Sequence, residues 1–354
     1  MKLRYRSISA IAVAVALSSF AGRMALSPPS AGAQQAGTSG YHLAKRVALG
    51  GEGDWDYLEV DPNTHRVFIT RGTHVMVIDP EQGKVIGDVP KTPFVHGIAI
   101  AADLHRGFTT NGDTSSVTIF DTNTLEKIAE PITGKEPDAI LYDPSTKRAF
   151  AMNRTGTSTV IDATSGKVVG TVSLGGQPEF GVADGKGRVF VDLENKNALA
   201  EVDAKTMKLL NTWPLAPCAE PSGLAIDAVH ERLFVGCHNK VMAFVDGDSG
   251  KVLGTIPIGD GVDADRFDSA TGFAFASCGD GTLTVAHEDS PDKLTLVEHI
   301  KTELGARTMA LDYATHTVYS VTALFGPRPA PAPDHPRRRP TMVPGSFTLL
   351  VYRR

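Results

Sequence analysis

The chain predicts an all-β fold, a seven-bladed β-propeller of four-stranded blades. Three observations in the 354-residue sequence carry that prediction. An aromatic residue recurs at Phe68, Phe108, Phe150, Phe190, Phe234, Phe275 and Tyr319, at intervals of 40, 42, 40, 44, 41 and 44 residues. Similar segments surround it, among them DPNTHRVF, DPSTKRAF and DAVHERLF. One such unit cannot bury its own apolar faces and must stack against copies of itself. The ends are also complementary. The seventh copy has strands over 308–312, 317–322 and 347–352, but no fourth, and the segment 41–49 precedes the first copy without a partner. That segment is expected to complete the last blade and close the ring, removing two free sheet edges.

The third copy shows the unit most clearly, over residues 136–172. Short runs rich in β-branched and apolar residues read as strands over 138–142, 148–152, 157–161 and 167–172. Asp143-Pro144-Ser145-Thr146 and Ala163-Thr164-Ser165-Gly166 supply the turns between them.

Residues 1–33 read as a secretory signal, with basic Lys2, Arg4 and Arg6, a short apolar run over 8–20 and Ala31-Gly32-Ala33 as cleavage site. The run is too short for a membrane span. Residues 34–40 read as a linker, and 41–354 as one propeller. A periplasmic or secreted protein follows, without a membrane span once the signal is removed and expected to be a monomer. The signal carries four basic residues (with Arg23) and no acid, and the whole chain has net charge −5, so the exported part sits four charges lower, near −9. Nucleic acid is not an expected partner, since that affinity rests on neutralising phosphates.

Export permits a disulfide among Cys218, Cys237 and Cys278. Cys218 precedes the first strand of blade five and Cys237 ends its second, so both fall on one face of the disc. Cys218–Cys237 is the expected bridge and Cys237–Cys278 the alternative. The segment 325–346 interrupts blade seven with seven prolines, which suit neither helix nor strand. It is expected to form a semi-rigid lid or partner contact, with Arg337, Arg338 and Arg339 available to an anion or to an acidic face beneath.

Function is sought at the starts of the first strands, which are innermost in a propeller. Twelve residues before the anchor aromatics lie Asp56, His96, Asp138, Ser222, Asp263 and Arg307. In blade four a shorter turn puts Glu179 in that place. These seven are the candidate ligand-binding residues around the mouth of the central channel. Four carboxylates facing one mouth raise one another's pKa, which calls for a bound cation, Arg307 or water to offset them. His96, Asp138 and Glu179, from consecutive blades, are the candidate metal ligands, and oxygen donors with one imidazole suit calcium, manganese or zinc. Arg71, Asn111, Asn153, Glu194 and His238 are expected in an outer shell, and Trp55, Phe94 and Phe180 as apolar walls. His65, His105, His230 and His316 recur in turns on the opposite face and are expected to have no common partner.

The repeats VIDPEQGKVIGDV, VIDATSGKVVGTV and FVDGDSGKVLGTIPIG, with the openings KEPDAILYDP and AEPSGLAID, resemble the YVTN-repeat, YncE-like propellers of the bacterial periplasm. The similarity spans residues 41–354 and implies the fold, export and a binding role. Single-stranded DNA binding, associated with that family, is not carried over, because the mouth is acidic and lacks a basic aromatic track. No catalytic residue is assigned, since nucleophile elbow, P-loop, HExxH and CxxCH motifs are all missing. The expected function is a binding module that holds a small molecule or protein partner at the mouth. The alternatives are a metal-dependent hydrolase, lactonase or lyase using the same mouth, and a scaffold with a solvated channel.

Overall fold

Seven antiparallel sheets of four strands stand around a central channel in the computed structural model, which describes residues 37–327 and 340–354. The expected signal (1–33), most of the proline-rich segment (328–339) and Arg337–Arg339 lie outside the described residues. Each inner strand abuts the next, and the inner strand of blade seven, Met309–Asp312, returns to that of blade one, Leu58–Val60. The fold is therefore the seven-bladed propeller predicted. It contains no α-helix among the described residues, only two single-turn 3-10 segments. No helix there is long and apolar enough to cross a membrane.

The anchor aromatics explain the period. Phe68, Phe108, Phe150, Phe190, Phe234, Phe275 and Tyr319 are all at most 1% exposed, each in the second strand of its blade, where both faces are covered. Truncating a ring of this kind to Ala costs about 3–5 kcal/mol. Outer strands face solvent, as in Lys167–Ser173, where five of seven residues are exposed. In blades one to six the register slips between the third and fourth strands, for example between Val77 and Ile78 and between Val160 and Ile161. These β-bulges add local twist to the blade edge.

Charged side chains stitch neighbouring blades together. Arg66, Arg106, Arg148, Arg188 and Arg232 stand at or just before the start of the second strand in blades one to five. Each donates to a carbonyl in the turn of the next blade: Thr122 (2.6 Å), Ala163 (2.6 Å), Ala204 (2.5 Å), Gly247 (3.3 Å) and Pro291. Hydrogen bonds from a charged donor contribute about 1.5–3 kcal/mol each. Glycine in the outer strand serves the same junctions. A Cβ on Gly87 would lie 2.4 Å from Leu125, and one on Gly170 would lie 2.6 Å from Met207, so the recurring KVxG leaves room for a side chain of the following blade.

Three of the four turn histidines find an Asp partner, each a different one, so no single partner is shared. Asp residues ending the inner strands accept backbone N–H groups of their own turns, and His65 reaches Asp312 (2.8 Å), His316 reaches Asp268 (2.7 Å) and His230 reaches Asp227. For His65 and His316 the acceptor belongs to the preceding blade around the ring, a proximity that no local pattern displays.

Cys218 and Cys237 form the disulfide, with Cα atoms 5.6 Å apart, while Cys278 is free and buried. Closing a loop of this length is worth about 3 kcal/mol. The proline-rich segment leaves blade seven after Thr317–Thr322 and re-enters at Thr348–Arg353. Its two feet pair, with Gly326 N donating to Thr341 O (2.8 Å) and Val343 N to Leu324 O (2.7 Å).

The strand His42–Ala48 pairs antiparallel with Thr348–Arg353 as the outermost strand of blade seven. Tyr41 and Val47 are buried, and the Tyr41 hydroxyl donates to His316 O at 2.9 Å. Deleting residues 41–48 should lower unfolding free energy by about 3–6 kcal/mol, the cost of exposing two large side chains, and broaden the denaturant transition. An unchanged midpoint and slope would show that this strand does not hold the ring.

Candidate functional site: the charged mouth of the channel

The ring residues owe their direction to irregular strand starts. The ladder between first and second strands is interrupted between Val95 and Ile98, Pro137 and Ile140, Pro178 and Gly181, Pro221 and Gly223, and Val262 and Ala264. His96, Asp138, Glu179, Ser222 and Asp263 lie inside those five interruptions. A bulge releases a residue from the alternation of the ladder and re-aims its side chain. Side chains two residues after the anchor aromatics brace these starts. Thr70 donates to Tyr57 O (3.0 Å), Thr110 to Asp138 O (2.5 Å) and Ser277 to Ala306 O (2.8 Å), and Asp192 accepts from Phe180 N. The recurrence of Thr, Thr, Asp and Ser at that offset was a signal in the sequence.

Six of the seven predicted residues come together. His96 Nδ1 lies 2.8 Å from Asp56 Oδ2 and 3.8 Å from Asp138 Oδ1. Arg307 donates to Asp56 Oδ1 at 3.1 Å and to Asp263 Oδ2. Arg154, not foreseen, reaches Asp138 Oδ2 at 3.3 Å. Asp263, Asp138 and Glu179 act electrostatically on one another. Ser222 is buried, 1% exposed, and takes no part in these contacts. At the mouth, the group with ligand atoms within 4.8 Å of one another is Asp56, His96 and Asp138, so Asp56 stands where the sequence suggested Glu179; a second such group, Asp227, His230 and Glu288, lies away from it.

The expected walls and outer shell are only partly realised. Phe94 is 57% exposed and packs edge-on against His96 (4.5 Å between centroids). Trp55 is instead buried against Phe347 (5.3 Å) and Phe325 (6.0 Å). Arg71 is buried too, its guanidinium 3.7 Å from the Phe347 ring and bonded to Gly53 O and Glu52 O. Asn111 and Asn153 bond to Ser116 and Thr118, and to Thr157 and Thr159, inside their own blades. Glu194 and His238 remain close enough for their charges to act on Glu179 and Asp263 respectively.

Tyr57 and Phe180 form the floor of the mouth. The residue after each ring position is Tyr57, Gly97, Ala139, Phe180, Gly223, Ala264 and Thr308, so only two are large. These two, from blades one and four, meet across the channel with centroids 5.3 Å apart. Arg266, from blade six, lies 5.4 Å from the Phe180 ring and 3.3 Å from Glu59 of blade one. The channel is thereby divided into two halves.

Above the floor, burial and like charge dominate the titration. Burial, then Asp138 and Asp263, push Glu179 up to about 10, and Asp192 and Glu194 act in the same direction. Burial and Asp56 raise Asp138 to about 6, against His96 and Arg154. Burial raises Asp263 despite Arg307. Burial would lower His96, but the Asp56 hydrogen bond and the charges of Asp138 and Asp56 outweigh it and raise its pKa. The Tyr57 hydroxyl is held well above its usual range by burial and by Asp263, Glu179, Asp138 and Asp56. Neither it nor the Glu179 carboxyl makes a side-chain hydrogen bond among the described residues.

A carboxyl whose folded pKa lies above its unfolded value holds an extra proton in the folded state. Its contribution to stability therefore falls as pH rises from about 4.5 towards about 10 for Glu179. Glu179→Gln should match the parent protein in acid and become progressively more stable than it as the pH rises. Denaturant midpoints across that range check this, and a gap that does not grow with pH would contradict the assigned environment.

No family model and no curated protein matches the sequence. Solved structures share the fold at low identity. One titled Kuenenia stuttgartiensis hydrazine synthase has TM-score 0.67 and 15% identity, covering 80% of this chain and 95% of that one. A chain of a mitotic checkpoint complex has TM-score 0.70 and 14% identity over 97% and 99%. U3-55K has TM-score 0.71 and 11% identity over 86% and 97%. At such identities the likeness establishes the architecture, and this chain is a seven-bladed β-propeller.

Proposed function

We propose that this chain is an exported, YVTN-repeat-like propeller that works as a binding module through the mouth of its channel, taking a ligand or partner segment that presents a positively charged donor group. One observation carries the reading: Glu179 and Tyr57 face the mouth without hydrogen-bond partners among the described residues, and the leading charges acting on Glu179, those of Asp138 and Asp263, are negative. Elsewhere the ring is compensated. Asp56 has Arg307 and His96, Asp263 has Arg307, and Asp138 has Arg154. A ligand ammonium between Glu179, Asp138 and Asp263 supplies the missing donors and positive charge. Glu179 then ionises and its proton passes to solvent. The repeat motifs and the amino-terminal segment support the family and export.

A second reading has its own observation. The ligand atoms of Asp56, His96 and Asp138 lie within 4.8 Å of one another, a set suited to calcium, manganese or zinc. A metal there would polarise a carbonyl, as a hydrolase or lyase requires. It would also have to sit beside the guanidinium groups of Arg154 and Arg307, which already pair with Asp138 and Asp56, and this favours the organic cation.

Calorimetric titration with spermidine near neutral pH, in two buffers of different ionisation enthalpy, should show saturable binding with release of up to about one proton. Glu179→Gln should abolish that release and weaken binding about tenfold or more, equivalent to about 1.4 kcal/mol. Manganese forms a parallel arm. Binding of manganese alone, lost in Asp56→Asn, would replace the first reading by the second, and binding of neither would refute both.

A further inference from the structure

The half of the channel beyond Tyr57 and Phe180 is a separate cavity of about 350 Å³, lined by the inner strands of all seven blades. That volume is at the lower end of the range for small-molecule sites. Its walls carry the aliphatic side chains of Ile98, Ile100, Leu141 and Ile226, with the carboxyl groups of Glu59, Asp265 and Asp312 also on the lining. The ring carboxylates lie on the far side of the floor.

One charged donor faces this apolar space. Arg266 is 8% exposed, donates to Asp265 O at 2.9 Å, and meets Glu59 Oε2 through one contact at 3.3 Å. Its Nε has no partner among the described residues, and a guanidinium is built to hold a carboxylate through two parallel bonds. Asp265, its chain neighbour, is fully buried, and neither of its side-chain oxygens is hydrogen-bonded. Burial raises its pKa well above the usual range, against the charge of Arg266. Glu59 is itself pushed up by burial. The guanidinium is thus only half matched, at the closed end of a greasy pocket.

We propose that this lower cavity is a second binding site, for a small amphipathic anion whose carboxylate pairs with Arg266 and whose apolar body lies among Ile98, Ile100, Leu141 and Ile226. The inference is independent of the mouth, because the floor separates the two. Glu59 either shares Arg266 with the incoming carboxylate or takes up a proton from solvent as it is displaced.

Octanoate, octan-1-ol and octylammonium are the probes, titrated calorimetrically into the purified protein. Octanoate should bind at one site per chain, at least tenfold more tightly than either of the others. Arg266→Gln should weaken it tenfold or more. Ile100→Trp, which fills the half-buried wall without touching a charge, should abolish binding while leaving the melting temperature within a few degrees. Glu179→Gln, on the other side of the floor, should leave octanoate binding unchanged. Lack of octanoate binding, equal binding of octylammonium, or full binding by Ile100→Trp would overturn the proposal. Since the spermidine experiment reads the mouth alone, either site can fail without the other.

Discussion

The contact between Tyr57 and Phe180 across the channel axis is the constraint on which both halves of the molecule depend. Seven strands converging on one axis leave a tube whose width is set by the residues that point into it. At this level five blades contribute Gly, Ala or Thr, and Gly97 admits nothing larger, since a Cβ there would lie 2.6 Å from Asp138 O. The two large rings occupy the space that the small residues leave. Without them, the charged ring would share one solvent column with the apolar strands below. With them, the carboxylates stand over an aromatic floor that excludes water from one side, and burial becomes the leading cause of their raised pKa values.

Arg307 has a corresponding role at the junction of the ring. It precedes the inner strand of blade seven and grips Asp263 of blade six and Asp56 of blade one. Its neighbour Thr308 donates to Asp56 O at 2.7 Å. Burial opposes the guanidinium charge, but the two carboxylates more than restore it. One side chain therefore ties three blades together and neutralises one side of the mouth. The opposite side, around Glu179 and Asp138, receives no such cation except Arg154, which reaches only Asp138. The mouth is polarised by construction, and its unmatched side lies beside the Tyr57 hydroxyl.

The fold was legible because one burial requirement, a fully enclosed aromatic in the second strand, is imposed seven times in sequence. The ring was legible for the same reason, since a constant offset from that aromatic names its members. Their pairing was not. His96 has neighbours on both sides, and nothing local shows that it turns to Asp56 and that Asp138, but not Glu179, completes the group. Trp55 and Arg71 were misplaced because they serve the apolar junction between blades seven and one, which exists only once the ring has closed. The floor is legible in the same repeats: at the position after the ring, Tyr57 and Phe180 stand alone among small residues. Asp192 and Asp265 likewise stood out at positions where most blades carry smaller or apolar side chains. Alignment of repeats reveals such exceptions, but only the folded ring shows that Tyr57 and Phe180 meet.

The central claim is that Glu179 sits at neutral pH as an uncharged acid on the less compensated side of the mouth. Carbon-13 detection of its side-chain carboxyl through a pH titration, assigned by loss of the resonance in Glu179→Gln, tests this most directly. The account predicts a protonated carboxyl at neutral pH that titrates near about 10 and ionises at lower pH when a cation is bound. A carboxyl already ionised at neutral pH, with a midpoint in the ordinary glutamate range, would contradict it.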